Sequence, residues 1–201
     1  MKGSQFERDI CKDLSLWWTI HDRDDVFWRT PGSGARATTR MKVGLSTYGQ
    51  CGDVQATDPE GVPFIEHFTV EIKRGYNKYT PIDLLDKPKG SAPQVWEQWL
   101  WKIEKERKEN NRKGWLIVQR RDKRTAQVWM DESSFDQIEY HPRSELFCPD
   151  NVFQLSVVVR ELELVKGKLR VERPSRGSLC HMVGLEWDEF LNVDPVVFGG
   201  I

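Results

Sequence analysis

The sequence lacks any long apolar run. No stretch approaches the roughly 18 consecutive apolar residues that a membrane-spanning helix requires, and residues 1–8 lack the apolar core of a secretory signal. Of the 201 residues, 38% are hydrophobic and 30% are charged. These features argue against an integral membrane protein and predict a cytoplasmic globular protein, large enough for one domain or for a core with an appended subdomain.

Cysteine and histidine are also scarce, with four residues of each. The cysteines lie far apart and never form the Cys-x-x-Cys pair that is typical of a zinc site, and a small secreted scaffold would be richer in cysteine. The histidines show no paired ligand spacing either. We therefore expect ordinary reduced thiols, rather than a zinc site or a disulfide framework, at Cys11, Cys51, Cys148 and Cys180.

The formal net charge is only −1, yet the charge is divided unevenly along the chain. Residues 1–130 contain 23 Lys and Arg against 18 Asp and Glu, whereas residues 131–201 contain 7 against 13. Within the first part, residues 102–124 hold ten basic and four acidic side chains. A polyanion such as DNA would therefore meet the first part, although residues 102–113 alone could equally form a solvated helix face.

Hydrophobic spacing predicts a mixed α/β chain. Apolar residues recur every three to four positions over residues 5–20 and 94–111, which is typical of amphipathic helices, with Ser4 as the N-cap of the first. Trp96 and Trp99 lie on the apolar stripe of the second helix, so we expect them to pack in the core. Short β-rich segments bounded by turn residues predict five strands. These lie at residues 26–28, 52–56, 64–73, 115–119 and 125–130.

Turn residues suggest how two of these strands are joined. Residues 52–56 and 64–73 flank Asp58-Pro59-Glu60-Gly61, a strong turn sequence. The spacing therefore predicts a hairpin between them.

The character of the sequence changes beyond residue 130. Residues 152–163 and 168–172 look like long strands joined by a tight turn, and residues 185–191 look like a short helix. We therefore divide the chain into a core, residues 1–130, and a β-rich acidic extension, residues 131–201, whose role the sequence does not indicate.

Acidic and basic side chains converge at the end of the strand predicted over residues 64–73. Side chains two positions apart in a strand point to the same face, so Glu71 and Lys73 project together while Ile72 points into the core. Asp53 begins the neighbouring strand, and its carboxylate can reach the same edge of the sheet. Two carboxylates there form a hard oxygen site suited to Mg²⁺, beside a lysine able to orient or deprotonate a water and to hold a phosphate oxygen.

The Glu-x-Lys motif is short and carries little information alone. Glu106 and Lys108 repeat it within the second predicted helix, where the two side chains would diverge, and we interpret that copy as a solvated charge pattern. For Glu71 and Lys73 alone, a cross-strand salt bridge explains the pattern as well as catalysis does. The presence of Asp53 in an upstream strand favours the metal site.

Together these residues resemble the PD-(D/E)xK nucleases. The resemblance rests on Glu7 in an N-terminal helix, a Gly-Ser-Gly loop at 32–34, Gly52-Asp53 and Glu71-Ile72-Lys73. It covers residues 3–120 and is closest in pattern to archaeal-type Holliday junction resolvases and related phage enzymes. The family implies an α/β, restriction-endonuclease-like fold with a mixed central sheet flanked by helices, to which the C-terminal residues would add the β-rich extension.

The resemblance implies roles for particular side chains. Asp53 and Glu71 would be metal ligands, the backbone carbonyl of Ile72 would complete the inner shell, and Lys73 would be the catalytic lysine. Glu7 would reach the metal directly or through water. On the sequence alone, Glu7 is explained equally well as an acid in the first helical turn that the helix dipole favours.

The resemblance also implies roles for further residues, some of which have simpler explanations. Ser33 matches the serine that those resolvases place near the scissile phosphate, although a turn residue between two glycines is the simpler interpretation. Gln94 or Gln98 could match a glutamine that some members place behind the catalytic lysine, but we expect both to face solvent. The basic residues predicted to bind the DNA backbone are Arg29, Arg36, Arg40, Arg120 and Arg121.

One position departs from the family pattern. The family name expects proline before the first aspartate, and this chain has Gly52. Since that proline is frequently absent in such enzymes, the difference weakens recognition more than it weakens the chemistry.

The implied reaction is hydrolysis of a DNA phosphodiester by in-line attack of water, with Mg²⁺ as cofactor, Mn²⁺ as a substitute and no nucleotide cofactor. Our first choice is a structure-selective Holliday junction resolvase. Such an enzyme cuts two strands symmetrically, so we expect a homodimer that acts on branched DNA. Two alternatives stay open: a restriction-type, repair or phage DNA-processing endonuclease with the same chemistry, and a non-catalytic DNA-binding module on a nuclease fold.

Overall fold

The structure is a computed structural model that describes residues 2–30, 51–88, 91–142, 149–165 and 168–199. Its helices are α1 (Lys2–Trp18), α2 (Val62–His67), α3 (Val95–Glu109), α4 (Glu132–Glu139) and α5 (Trp187–Phe190), with 3₁₀ turns at Pro59–Gly61, Pro81–Leu84 and Pro195–Phe198. Its strands are β1 (Phe27–Arg29), β2 (Val54–Ala56), β3 (Phe68–Arg74), β4 (Gly114–Arg120), β5 (Ala126–Asp131), β6 (Phe153–Val165) and β7 (Lys168–Glu186). No helix in the described ranges is long and apolar enough to cross a membrane.

Five strands form one mixed sheet in the order β3-β4-β5-β7-β6. β3 and β4 run parallel, and the other neighbours in this sheet are antiparallel. β1 and β2 form a separate antiparallel pair. A mixed sheet flanked by helices is the restriction-endonuclease-like α/β architecture that the sequence predicts, so the predicted fold class is confirmed.

Alternation along β4 separates two apolar layers. Leu116 and Val118 point into the layer that α1 covers, whereas Trp115 and Ile117 point into the layer that α3 covers. Glu71 on β3 is the register partner of Ile117. The predicted catalytic pair therefore lies on the α3 face of the sheet.

The two long helices bury the stripes predicted from their spacing. In α1, Ile10 and Leu14 are at most 2% exposed, and in α3 Trp96 and Trp99 are 1% and 8% exposed, so the expectation that these tryptophans pack in the core is confirmed. Burial of each large apolar side chain contributes about 1.5–3 kcal/mol, which explains why the stripe fixes the helix. The N-cap prediction for Ser4 is wrong, because α1 begins two residues earlier; apolar spacing does not determine where a helix begins.

The hairpin predicted between residues 52–56 and 64–73 is wrong. β2 pairs with β1 and β3 pairs with β4, and a 3₁₀ turn followed by α2 occupies residues 59–67. Asp58 accepts a hydrogen bond from the Glu60 backbone N–H at 3.0 Å, and Pro63 lies in the first turn of α2, so local capping favours a helix. Phe64 packs against Trp17 and other rings of the α1 layer. A short apolar run is compatible with either a buried strand or a buried helix.

The C-terminal segment completes the sheet rather than lying apart from it. β7 pairs with β5, with Val128 opposite Leu185, and the Trp17 indole N–H donates to the Val193 carbonyl at 2.7 Å. α4, which the sequence did not indicate, begins where Asp131 accepts a hydrogen bond from the Ser134 backbone N–H at 3.0 Å. The division of the chain at residue 130 stays a prediction, and the described strands on both sides of it belong to one sheet.

A buried ion cluster ties β6 to α3. The Glu97 side chain is fully buried and accepts hydrogen bonds from the Arg160 guanidinium at 2.7 Å and from the Lys87 ammonium at 3.1 Å. The Arg160 backbone N–H also donates to Glu97, at 2.9 Å. Burial alone would raise the pKa of Glu97, but Arg160 and Lys87 outweigh it and lower the pKa to about 2.

Glu97→Gln should destabilise the protein by about 3 kcal/mol, because it leaves two cations without their counter-charge in a buried position. The contribution of Glu97 is complete above pH 4.5, its ordinary pKa, and is lost as the pH falls toward 2. Urea unfolding at neutral pH measures the loss. Glu104→Gln is the matched control, since the Glu104–Arg107 pair on the same helix is partly exposed and should contribute less than about 1 kcal/mol. Equal losses in the two variants would contradict the prediction.

Candidate active site

The C-terminal end of β3 carries the predicted catalytic pair. The Glu71 side chain is 1% exposed and the Lys73 side chain 16% exposed, and the Lys73 ammonium contacts a carboxylate oxygen of Glu71. Ile72 between them is buried in the α1 layer. Strand alternation therefore presents Glu71 and Lys73 together on the opposite face.

Asp53 lies against this pair even though β2 does not pair with β3. Its backbone N–H donates to the Val70 carbonyl at 2.7 Å, and its Oδ2 accepts a hydrogen bond from the Ile72 backbone N–H at 2.8 Å. The side chain is buried. Burial, followed by the charge of Glu71, raises the pKa of Asp53 to about 6.

Gly52 permits this close approach. Its φ is +72°, and a Cβ at this position would lie 2.4 Å from the Val70 carbonyl oxygen. Its backbone N–H donates to Glu106 Oε2 at 3.2 Å. Proline has a φ near −65° and no N–H, so the residue that the family name expects here does not fit this backbone.

Lys102 on α3 is a site residue that the sequence reasoning missed. Its ammonium lies 2.9 Å from both carboxylate oxygens of Glu71. Burial alone would raise the pKa of Glu71, but Lys73 and Lys102 outweigh it and lower that pKa. Burial also opposes the charge of Lys102, and the neighbouring acids, Glu71 first, raise its pKa above the usual range. The sequence feature that could have indicated Lys102 was its position next to Ile103, which lies on the buried stripe of α3.

Glu106 also faces the site, so its interpretation as part of a solvated pattern is wrong. Its side chain is 18% exposed and lies 3.7 Å from Lys102, and burial raises its pKa. The positions 102 and 106 are one helical turn apart and share a face. Lys108, by contrast, has a 67% exposed side chain, as expected.

Glu7 lines the same cleft as Glu71 and Lys73, and the volume of this cleft is about 230 Å³. Glu7 pairs with Arg29 at 3.5 Å. Because α1 begins at Lys2, Glu7 lies in the second turn, where a favourable effect of the helix dipole is weaker. The cleft is lined by Gly3, Glu7, Asp53, Glu71, Ile72, Lys73, Arg74, Tyr76 and Lys102.

The donor set suits a hard divalent cation. Asp53 and Glu71 are buried carboxylates beside the Ile72 backbone, and oxygen ligands of this kind are those that Mg²⁺ prefers. Lys73 and Lys102 already place positive charge against Glu71, so a cation bound here would share that carboxylate with two ammonium groups. Across the described residues, no group of three His, Cys, Asp or Glu side chains is placed to hold a metal ion.

Three of the predicted DNA-binding residues, Arg29, Arg120 and Arg121, contact residues that line the cleft. The Arg74 guanidinium donates to the Arg120 and Arg121 carbonyls at 3.2 and 3.1 Å, so the turn after β4 lies beside the end of β3. The Arg120 side chain is exposed. Neither Gln94 nor Gln98 lines the cleft. The positions Ser33, Arg36 and Arg40 lie outside the described residues.

Comparison with known proteins identifies the family. The family model described as "Phage putative PDDEXK endonuclease" matches residues 1–165. No curated protein and no solved structure matches the chain. The matched segment extends from α1 through β6 and includes the whole cleft. The chain therefore belongs to this family of phage PD-(D/E)xK endonucleases, a group of nucleases that generally use divalent metal ions and act on DNA.

Proposed function

We propose that the protein is a Mg²⁺-dependent endonuclease that hydrolyses DNA phosphodiester bonds in the cleft at the end of β3. One observation carries the proposal: Asp53, Glu71 and Lys73 line the same cleft, although Asp53 lies just before β2, which belongs to a different sheet from β3. Burial and the charge of Glu71 raise the pKa of Asp53 even with Lys73 and Lys102 nearby, and a divalent cation between the two carboxylates would relieve their repulsion.

Asp53, Glu71 and the Ile72 carbonyl would hold the cation, and Mn²⁺ should substitute for Mg²⁺. When bound, such a cation polarises the phosphoryl group and lowers the pKa of a water molecule. Lys73, at the mouth of the cleft beside Glu71, would stabilise the charge that builds on the phosphate in the transition state. Glu7, which lines the same cleft, would reach the cation directly or through water.

Arginines around the cleft would position the DNA backbone. Arg29 is held toward the cleft by Glu7, and Arg74, Arg120 and Arg121 lie together at the end of β3 and β4. Contacts of this kind fix the register of the nucleic acid without reading its sequence. They suit an enzyme that selects DNA by its structure.

A Holliday junction resolvase is the substrate assignment that we favour, on the pattern of Glu7, Asp53, Glu71 and Lys73. Symmetric cutting of a junction needs paired sites, so a homodimer is part of this proposal, and light scattering measures it. A second assignment, a phage DNA-processing endonuclease of other specificity, is favoured by the phage description of the family. Cleavage of a four-way junction, a flap and a linear duplex of the same sequence separates the two. Equal cutting of all three would exclude the resolvase.

Lys73→Ala tests whether the cleft is catalytic. We expect cleavage to fall about 10²–10³-fold, the usual effect of removing a group that stabilises transition-state charge. DNA binding in Ca²⁺ should change little. Folding should be retained, because Lys102 still pairs with Glu71.

Lys108→Ala is the matched control, since this lysine is exposed on α3 and should cleave like the wild type. Binding of DNA by the wild type without cleavage in Mg²⁺ or Mn²⁺ would instead favour a non-catalytic DNA-binding module.

A further inference from the structure

An exposed tyrosine lines the cleft, and the ring of a second exposed tyrosine lies 6.5 Å from its ring. The segment after β3, residues 75–79, is here called the tyrosine turn, and it contains Tyr76 and Tyr79. Their exposed fractions are 47% and 39%, and Tyr76 lines the same cleft as Lys73. Tyrosine rings carry a large apolar face, and nothing in the proposed chemistry uses these two.

The tyrosine turn is held rigidly against the turn after β4. The Gly75 backbone N–H donates to the Arg120 carbonyl at 3.0 Å. The Asn77 side chain donates to Asp122 at 2.8 Å and accepts from the Asp122 backbone N–H at 2.7 Å. The Gln119 side chain donates to the Tyr79 carbonyl at 3.3 Å. The exposed rings are therefore presented by an ordered backbone, which lowers the entropic cost of binding to them.

The backbone at Tyr76 is unusual for a bulky residue. Its φ is +51°, following Gly75 at +87°, in the left-handed region that side chains other than glycine seldom occupy. This conformation brings the Tyr76 ring to 5.0 Å from the Trp99 ring, edge to face, while almost half of Tyr76 remains exposed. Backbone conformations of this kind persist where the surrounding contacts enforce them, and they cluster at functional sites.

From these contacts we propose that Tyr76, supported by Tyr79, is a stacking platform for a nucleobase whose face is not covered by a neighbouring base. The inference rests on the proposed function, because it places DNA in the cleft. Base stacking on aromatic rings is tolerant of sequence. Continuous duplex hides its base faces, whereas branch points, flaps and single strands expose them. Arg74 precedes the tyrosine turn and Lys78 lies within it, and these charges match the backbone of nucleic acid better than an apolar protein surface.

The experiment measures binding to a flap DNA with 2-aminopurine at the unpaired position next to the branch, and to a linear duplex, with Ca²⁺ in place of Mg²⁺. We expect Tyr76→Ala and Tyr76→Leu to bind the flap about tenfold more weakly and to lose most of the fluorescence quenching that stacking causes. Tyr76→Phe should stay within about twofold of the wild type. Duplex affinity should be unchanged in all three variants. Tyr140→Ala is the control, since Tyr140 is 78% exposed and does not line the cleft.

Two results would overturn the inference: equal weakening on flap and duplex, or no change on either. Tyr76→Leu guards against a folding defect, because it retains an apolar side chain against Trp99. Cleavage by the wild type is scored separately. If the wild type cuts DNA and Tyr76→Leu keeps its preference for the flap, the platform fails and the nuclease stands. If the wild type binds the flap through Tyr76 without cutting, the nuclease proposal fails and the platform stands.

Discussion

Asp53→Asn should abolish DNA cleavage and at the same time stabilise the metal-free protein at pH 8. The carboxylate is a proposed metal ligand, so its loss should lower cleavage by at least about 10²–10³-fold. Asparagine keeps a side-chain oxygen that can accept the Ile72 backbone N–H. It also removes a charge that is buried beside Glu71. We expect a gain of about 2 kcal/mol in the free energy of unfolding.

The sign follows from the pKa of Asp53. Its value in the folded protein is about 6, above the ordinary 3.8, so the folded state binds this proton more tightly than the unfolded state does. The stability of the wild type should therefore fall as the pH rises from about 4 to 6, and the penalty should be complete above 6. The Asp53→Asn variant should not show this fall in stability between about pH 4 and 6. Urea unfolding in EDTA across this range measures the difference between the two proteins, and a variant less stable than the wild type at pH 8 would contradict the prediction.

Gly52→Ala should both destabilise the protein and inactivate it. The added Cβ would lie 2.4 Å from the Val70 carbonyl oxygen and 3.0 Å from the Val70 nitrogen, and both atoms belong to the backbone of β3. The positive φ adds a conformational cost of about 1–2 kcal/mol for alanine. Relief of the clash requires a shift of the backbone next to Asp53, which disturbs the position of Asp53 relative to Glu71. A displacement of about 1 Å costs roughly 10²-fold in rate, and we expect a total destabilisation of about 2–4 kcal/mol.

Substitutions at two other glycines separate the effect of the clash with β3 from the effect of the positive φ. A Cβ at Gly75 meets nothing within 4 Å, although its φ is +87°, and a Cβ at Gly3 meets nothing either. Gly75→Ala should therefore show the conformational cost alone, and Gly3→Ala, within α1, should cost no stability and should add a little helix propensity. Thermal unfolding and cleavage rates rank the three variants by loss of stability and loss of activity. If Gly52→Ala loses no more stability than Gly75→Ala, the clash with β3 is unimportant.

Local periodicity predicted the parts of the fold that depend on local sequence. The stripe of α3 and the same-face arrangement of Glu71 and Lys73 follow from the repeats of a helix and a strand, and the structure has both. The predicted strand around Phe64 failed because the helix and strand templates overlap for a short apolar run.

Long-range geometry accounts for what the sequence could not indicate. Lys102 approaches Glu71 across 31 positions of the chain, and its helix could have packed with a different rotation. The hydrogen bond that Glu106 accepts from the Gly52 backbone N–H also depends on how this helix packs against the sheet. The backbone bonds that attach Asp53 to β3 depend on a positive φ at Gly52, which the residue type permits but does not require.

The strand order has a consequence for how the chain folds. β7 occupies the place between β5 and β6, so a strand made late in translation is inserted beside one made much earlier. Until Leu185 reaches Val128, β5 has an unpaired edge, and such edges promote association with other chains. Pairing over this sequence distance is slow compared with local contacts. β3, which carries the proposed catalytic residues Glu71 and Lys73, is thus synthesised well before β7, the strand that completes the sheet.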